Sequence, residues 1–189
     1  MGYHVFEWEQ VLELPLADVF EFVSRAENLA RITPATLDFR FEGDPPAALS
    51  VGAEVRYRLR INGVPVRWTT RITEWDPPHR FADLQARGPY AYWLHTHTFG
   101  ALDEKRTLMR DRVIYRVPYG ILGEVARRVF VAAELRRIFE YREVAFEAAL
   151  RGEDPPPAGQ ASRLPAVTML VAAAGAGALL AARAWRRAR

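Results

Sequence analysis

The sequence FADLQARGPYAYWLHTHTF, residues 81–99, predicts two β-strands joined by a turn at Arg87, Gly88 and Pro89. Because successive side chains of a strand point to opposite faces, alternate residues share a face. The shared face combines aromatic rings with polar groups, namely Phe81, Asp83, Gln85, Trp93, His95, His97 and Phe99. It is too polar for an ordinary core and too aromatic for an ordinary surface. We therefore expect it to line a cavity.

Strand patterns extend from this hairpin in both directions. Alternation of apolar and polar residues predicts further strands at residues 3–12, within 37–46, and at 54–62, 65–75 and 107–116. The pair Asn62-Gly63 is typical of a two-residue hairpin turn. Strands that follow one another through such turns predict an antiparallel meander of six or seven strands.

Two helical regions flank the predicted strands. Apolar residues recur at helical spacing after Pro15, which predicts two short helices that end at Thr33-Pro34. Residues 119–150 contain no proline and predict a helix of about 28 residues, roughly 40 Å long. Its apolar stripe comprises Leu122, Val125, Val129, Ala132, Leu135, Phe139, Phe146 and Leu150. We expect an α+β fold in which a curved sheet wraps this helix and leaves a cavity between them.

Three segments carry a family resemblance: residues 15–34, 51–99 and 107–142. They resemble bacterial proteins of the SRPBCC superfamily, which includes START-like lipid-transfer domains, the birch-pollen allergen class and polyketide cyclase/dehydrase proteins. The similarity covers about residues 3–148 and is most specific from Trp68 to Tyr115. It implies a helix-grip fold, with about seven strands around a long C-terminal helix and a tunnel for an apolar ligand. Because the chemistry of this superfamily varies, the resemblance implies no particular reaction.

The charge distribution argues against a nucleic-acid-binding body. The chain of 189 residues has a net charge of +3, but residues 1–163 contain 22 basic and 23 acidic residues, a net charge of −1. The excess lies at Arg183, Arg186, Arg187 and Arg189. We expect no nucleic-acid partner. The chain has no cysteine, so disulfides, thiolate nucleophiles and cysteine metal sites are excluded.

The C-terminal part differs in composition from the rest. A ligand-binding domain is predicted for residues 1–150, a Pro/Gly-rich linker for 151–163, a transmembrane helix for 164–182 and a basic tail for 183–189. The 19 uncharged residues of the third segment would span about 28 Å as a helix, against about 30 Å of bilayer hydrocarbon. The N-terminal residues MGYHVFEWEQ lack a basic region followed by an apolar one, so we expect no signal peptide. We expect a cytoplasmic domain anchored to the inner membrane, with the tail as anchor.

Ten residues are the candidates for contact with a ligand. They are Trp68, Asp83, Gln85, Trp93, His95, His97, Phe99, Met109, Asp111 and Tyr115. Arg71 is a further candidate as an ion-pair partner of Asp83. Asp111 should lie opposite His95 or His97 if the next hairpin turns near Asp103.

The four titratable candidates admit three interpretations. His95, His97 and Asp111 form a chemically sensible two-histidine, one-carboxylate metal set. His95, His97, Asp111 or Asp83 could alternatively serve as acid/base groups of a catalyst. They could also satisfy one another by hydrogen bonds in a partly polar cavity wall. The third interpretation is adopted, so that no metal, cofactor or established catalytic residue is predicted.

The predicted function is membrane-tethered binding or transport of a small hydrophobic ligand such as a lipid, a quinone or a polyketide-like compound. The alternative is a cyclase- or dehydratase-type enzyme that uses the cavity histidines and aspartates. A membrane-bound interaction module without a working pocket is a third possibility. The sequence fixes neither the ligand nor the oligomeric state.

Overall fold

Seven antiparallel strands form one curved sheet in the order β1-β7-β6-β5-β4-β3-β2. The strands are β1 (His4–Leu12), β2 (Arg40–Phe41), β3 (Glu54–Ile61), β4 (Val64–Asp76), β5 (Arg80–Arg87), β6 (Tyr92–Ala101) and β7 (Thr107–Arg116). Strands β2 to β7 follow one another as neighbours, and β1 pairs with β7. The predicted meander is confirmed. The structure is a computed structural model that describes residues 2–153, without the side chains of residues 122, 126 and 129.

The alternation of side chains sets which face of the sheet is covered. On β7, Thr107, Met109, Asp111, Val113 and Tyr115 are all buried, whereas the residues between them are exposed or half-buried. The long strand β4 carries two register shifts, at residues 69–70 and 72–74. Such irregularities bend a strand and increase its twist. The sheet therefore presents a concave, apolar face to the helices.

The helices lie on that concave face. They are α1 (Leu16–Val23), two 3-10 turns (Ala26–Ala30 and Ala35–Leu37), α2 (Gly120–Ala126), a π-helical turn (Arg127–Val131) and α3 (Ala132–Leu150). The predicted long helix corresponds to the continuous run from α2 to α3. This arrangement is the helix-grip fold, as the resemblance implied.

The π-helical turn corrects the predicted apolar stripe. Leu135, Phe139 and Phe146 are buried as expected, but Val125 is 57% exposed and Ala132 is also exposed. A π turn bonds residue i to i+5 and inserts an extra residue into the helical repeat. Residues before the turn are therefore rotated out of phase with those after it, which a regular 3.6-residue repeat does not anticipate.

Two apolar clusters form the core between the sheet and the helices. The first joins α1 to the sheet and the end of α3, and includes Phe20, Phe81, Phe99, Met109 and Phe146. The second joins the middle of α3 to the other end of the sheet through Val113, Tyr115, Leu135 and Phe139. Polar side chains of β6 and β7 lie between these clusters, at the position where a continuous core would place apolar ones.

The predicted C-terminal segments fall largely outside the described residues. The linker extends from residue 151, the apolar helix covers 164–182 and the basic tail covers 183–189, whereas the description ends at residue 153. Within residues 2–153, no helix is both long and apolar enough to span a bilayer.

Candidate functional site

The register of three neighbouring strands brings four titratable side chains together. On β6, His97 pairs with Asp111 of β7, and His95 pairs with Asp83 of β5. His95 and His97 share a face because they are two residues apart, and their ring centroids lie 3.9 Å from each other. The expectation that Asp111 lies opposite one of the histidines is confirmed. We call Asp83, His95, His97 and Asp111 the polar cluster.

Asp111 contacts both imidazoles through a single carboxylate oxygen. Its Oδ1 lies 2.8 Å from Nε2 of His95 and forms a hydrogen bond with it. The same oxygen lies 2.7 Å from Nδ1 of His97, but this nitrogen is off the direction that a hydrogen bond requires and has no other partner among the described residues. Asp111 is 4% exposed, so it holds the two rings from the interior of the sheet.

Asp83 approaches the other two ring nitrogens. Its Oδ2 lies 3.5 Å from Nε2 of His97 and 3.9 Å from Nδ1 of His95. Its Oδ1 accepts a hydrogen bond of 2.6 Å from the hydroxyl of Thr70 on β4. The two carboxylates thus lie on opposite sides of the imidazole pair.

The predicted ion pair between Arg71 and Asp83 is wrong. Ile72 is the residue that faces Asp83 across the strands, and Arg71 lies on the opposite, exposed face of β4. There its guanidinium donates to Glu54 at 2.7 Å. A shift of one residue in register moves a side chain to the other face of a sheet. The irregularity between Ile72 and Glu74 of β4 produces such a shift and puts Arg71 on the face opposite to Asp83.

Burial and charge act in opposite directions on the cluster. Burial alone would raise the pKa of Asp111, but the charge of His97 and the hydrogen bond from His95 outweigh it and hold that pKa well below its usual range. The pKa of Asp83 is lowered in the same way, against its burial, by hydrogen bonding to His97 and the charge of His95. Both carboxylates are therefore ionised at neutral pH.

The two imidazoles differ in their affinity for a proton. Burial and the neighbouring His97 lower the pKa of His95, despite its bond to Asp111. Burial would also lower the pKa of His97, but the negative charge of Asp111 outweighs burial and raises it. The charge of Asp83 acts in the same direction. Of the two imidazoles, that of His97 therefore binds a proton more readily, and it does so beside two carboxylates.

The polar cluster forms part of the wall of a cavity of about 210 Å³ between the sheet and α3. Asp83, His95 and His97 line this cavity, whereas Asp111 lies behind them. The rest of the wall is mainly apolar and includes Leu29, Ile32, Val55, Phe81, Met109, Leu135, Ile138, Phe139 and Phe146. The apolar surface can hold a hydrophobic molecule, and the cluster can offer it a charge, a proton or hydrogen bonds.

Six of the ten residues predicted to contact a ligand lie on the cavity wall. They are Trp68, Asp83, Trp93, His95, His97 and Met109. The other four do not line it. Gln85 instead bonds both backbone groups of Tyr90 and fastens the β5–β6 loop. Phe99 and Tyr115 pack in the two apolar clusters, and Asp111 supports the histidines.

Several polar lining residues were not among the sequence predictions, and Tyr57, Thr70 and Arg142 are three of them. Alternation along β3 puts Tyr57 on the same face as buried Val55, and alternation along β4 puts Thr70 on the same face as Trp68. Arg142 had no comparable signal, because charged residues on a long helix are usually solvated. Its guanidinium lies over the ring of Phe139, 5.3 Å from the ring centre, and its buried Nε has no hydrogen-bond partner within residues 2–153.

Comparisons with known proteins agree with this fold. The family model described as polyketide cyclase/dehydrase and lipid transport matches residues 12–139. A START superfamily protein from Mycobacterium smegmatis superposes with a TM-score of 0.60 at 13% identity, covering 80% of this chain and 99% of that one. The Zhui aromatase/cyclase from a Streptomyces species gives a TM-score of 0.56 at 19% identity, covering 80% and 93%. No curated protein matches the sequence. At these identities the structural neighbours show the fold alone.

Replacing Asp111 tests how much the cluster contributes to stability. Asp111→Asn keeps the shape of the side chain but leaves buried His97 without its principal counter-charge. We expect a loss of about 3–5 kcal/mol in the free energy of unfolding at pH 6, measured by urea denaturation. Asp44→Asn, at an exposed loop position, is the matched control and should change stability by no more than about 0.5 kcal/mol.

The effect of this substitution should depend on pH. The folded-state pKa of His97 is raised, so its proton stabilises the folded state fully below the unfolded value of about 6.5, and this stabilisation is lost as pH rises through the folded pKa. Because the raised pKa depends on Asp111, the cost of Asp111→Asn should be smaller at pH 9 than at pH 6. A cost below about 1 kcal/mol at pH 6, or one that grows with pH, would contradict this account.

Proposed function

This chain belongs to the polyketide cyclase/dehydrase and lipid transport family, and from its cavity we propose that it binds a single small hydrophobic ligand between the sheet and α3. The observation that carries the proposal is an apolar cavity whose wall contains a few polar groups at fixed positions. Such a wall is typical of small-molecule sites, where apolar contacts supply affinity and the polar groups fix orientation.

The size of the cavity limits the class of ligand. Its volume of about 210 Å³ lies below the roughly 300–1,000 Å³ of typical drug-sized pockets. A membrane lipid with two acyl chains would not be enclosed. A ligand with one short chain or a small ring system, such as a quinone ring or a polyketide-like aromatic, fits better.

Polar groups of the wall indicate that the ligand carries a hydrogen-bond acceptor. Trp68 is 6% exposed, and its indole Nε1 has no hydrogen-bond partner among the described residues. Arg142 adds a positive charge to the wall and likewise has a buried, unpaired Nε. An unpaired buried donor costs free energy, and a ligand carbonyl, carboxylate or phenolate oxygen would remove that cost.

Filling the cavity tests the binding proposal. Ile138 lines the cavity from α3, so Ile138→Trp should occupy part of its volume and weaken binding of a fluorescent single-chain fatty acid at least about tenfold. Val144→Trp places the same side chain on the same helix at a position that is 53% exposed, and it should leave affinity unchanged. Equal affinities of the two variants, or no binding of apolar probes to the full chain, would reject the proposal.

The ligand-binding domain is further proposed to be held at the cytoplasmic face of the inner membrane by residues 164–182. The support is the uncharged 19-residue segment followed by Trp185 and four arginines, since aromatic and basic residues are enriched at bilayer interfaces. A tether would place the cavity close to the apolar compounds that dissolve in the membrane.

Fractionation of cells tests the tether. The full chain should sediment with membranes and resist extraction by high salt, because an apolar helix is held by burial rather than by charge. A chain that ends at Leu150 should move to the soluble fraction while keeping its thermal unfolding transition. If the shortened chain still sediments with membranes, the anchor lies elsewhere.

A cyclase- or dehydratase-type enzyme is the second candidate, and the polar cluster is the observation that favours it. His97 has a raised pKa, lies on the cavity wall and is flanked by two carboxylates, as an acid/base group would be. Nε2 of His97, the ring nitrogen farther from Asp111, would then donate a proton to a carbonyl oxygen of the ligand or accept one from the carbon next to that carbonyl.

Replacing both histidines by glutamine should separate this candidate from simple binding. The double variant His95→Gln/His97→Gln should retain affinity for the fatty-acid probe but lose turnover of a poly-β-ketone substrate by at least about 100-fold. His79→Gln, outside the cavity wall, should keep full activity. Unchanged turnover in the double variant would remove the enzyme hypothesis.

A further inference from the structure

We propose that Asp83, His95 and His97 form a binding site for one divalent transition-metal ion on the cavity wall. The inference goes beyond ligand binding, because a metal would occupy this site whether or not an organic molecule fills the cavity. The argument rests on the positions of the donor atoms, their supporting contacts and the charge of the cluster.

The three residues place their donor atoms close together. One donor atom from each residue lies within 4.8 Å of the other two. Oδ2 of Asp83 lies 3.5 Å from Nε2 of His97 and 3.9 Å from Nδ1 of His95. Ligands about 2.0–2.2 Å from a tetrahedral zinc ion lie about 3.4 Å from one another. The pair formed by Asp83 and His97, at 3.5 Å, already has about this separation, and the pair formed by Asp83 and His95 is slightly wider, at 3.9 Å.

The supporting contacts are those of a metal site. Thr70 donates to Oδ1 of Asp83 at 2.6 Å and so leaves Oδ2 to face the imidazoles. Asp111 lies at 2.8 Å and 2.7 Å from the opposite ring nitrogens, Nε2 of His95 and Nδ1 of His97. Histidines that bind metals usually donate their second nitrogen to a carboxylate, which fixes the tautomer and the ring orientation. Here one buried carboxylate forms that hydrogen bond with His95 and lies beside Nδ1 of His97.

This geometry changes the assignment of the carboxylates. The sequence pointed to Asp111 as a third metal ligand, but Asp111 does not line the cavity, and its oxygen approaches the far side of each ring. Asp83, on the neighbouring strand, supplies the carboxylate on the cavity side. Asp111 is therefore a positioning residue for the metal ligands.

The charge of the cluster also favours a cation. The carboxylates of Asp83 and Asp111 both lie within 3.9 Å of the imidazole nitrogens. A carboxylate removed from water needs a positive partner, and a divalent ion bound to Asp83 and the two imidazoles would supply one. Two nitrogen donors and one carboxylate favour zinc, iron, cobalt, nickel or copper over magnesium or calcium.

The remaining coordination positions would open into the cavity. Asp83, His95 and His97 all lie on its wall, and with only three protein ligands a metal retains at least one position for water or for a ligand oxygen. A carbonyl or phenolate group bound there would be polarised by the ion. The metal would thus select ligands that carry an oxygen donor.

Metal titration of the full chain tests the proposal directly. After removal of metals with a chelator and of any affinity tag, Co²⁺ should bind one ion per chain at pH 8, with the visible absorption of a tetrahedral or five-coordinate site. Zn²⁺ should displace it and raise the unfolding temperature. No visible absorption and no heat of Zn²⁺ binding up to millimolar metal would overturn the proposal.

Variants identify the ligands. His97→Ala and Asp83→Asn should each weaken Co²⁺ binding at least 100-fold, whereas Asp111→Asn should weaken it 10- to 100-fold, as expected for a supporting group. His79→Ala, outside the cluster, should bind as the unaltered chain does. Circular dichroism checks that each variant is folded. If a variant does not fold, the Co²⁺ spectrum of the unaltered chain still tests the proposal. Undiminished binding in folded His97→Ala and Asp83→Asn would overturn the proposal.

Discussion

The contact of one buried carboxylate with two imidazoles determines how the centre of this fold is organised. Asp111 binds His95 and approaches His97 at the middle of the concave face. The ring of His97 stacks on Phe81 of the first apolar cluster at 4.3 Å, and that of His95 meets Phe139 of the second at 5.8 Å. Polar contacts within the sheet therefore join two apolar clusters that would otherwise be separated by the cavity.

The cavity exists because the sheet and the long helix differ in shape. Irregularities in β4 curve the sheet, and the π-helical turn changes the phase of the helix before α3 begins. Among the described side chains of this helical run, buried apolar residues follow one another regularly from Leu135 onward. One helix cannot fill the concavity of a seven-stranded sheet, so the remaining space is bounded by the sheet, α3 and the short helices.

Much of this architecture was predictable, because period-two alternation and hairpin turns are local properties. That Asp111 faces one of the two histidines followed from a predicted turn near Asp103, and the structure shows that the histidine is His97. Contacts that depend on irregular backbone were not predictable. The bulges of β4 move Arg71 away from Asp83, and the β5–β6 loop takes up the side chain of Gln85. Alternation places Asp83 and Asp111 on the same face of the sheet. It does not show that Asp83 lies on the cavity side of the imidazoles and Asp111 on the other side.

The composition of the polar cluster bears on whether the protein carries or transforms its ligand. Burying the carboxylates of Asp83 and Asp111 removes two charges from water, at several kcal/mol for each ion. Apolar side chains of similar size would give comparable or greater stability and would bind a hydrophobic ligand equally well. A polar cluster on the wall can orient a ligand that carries polar atoms. Its charges also suit the two further proposals, a proton exchanged with the ligand or a cation held by Asp83, His95 and His97.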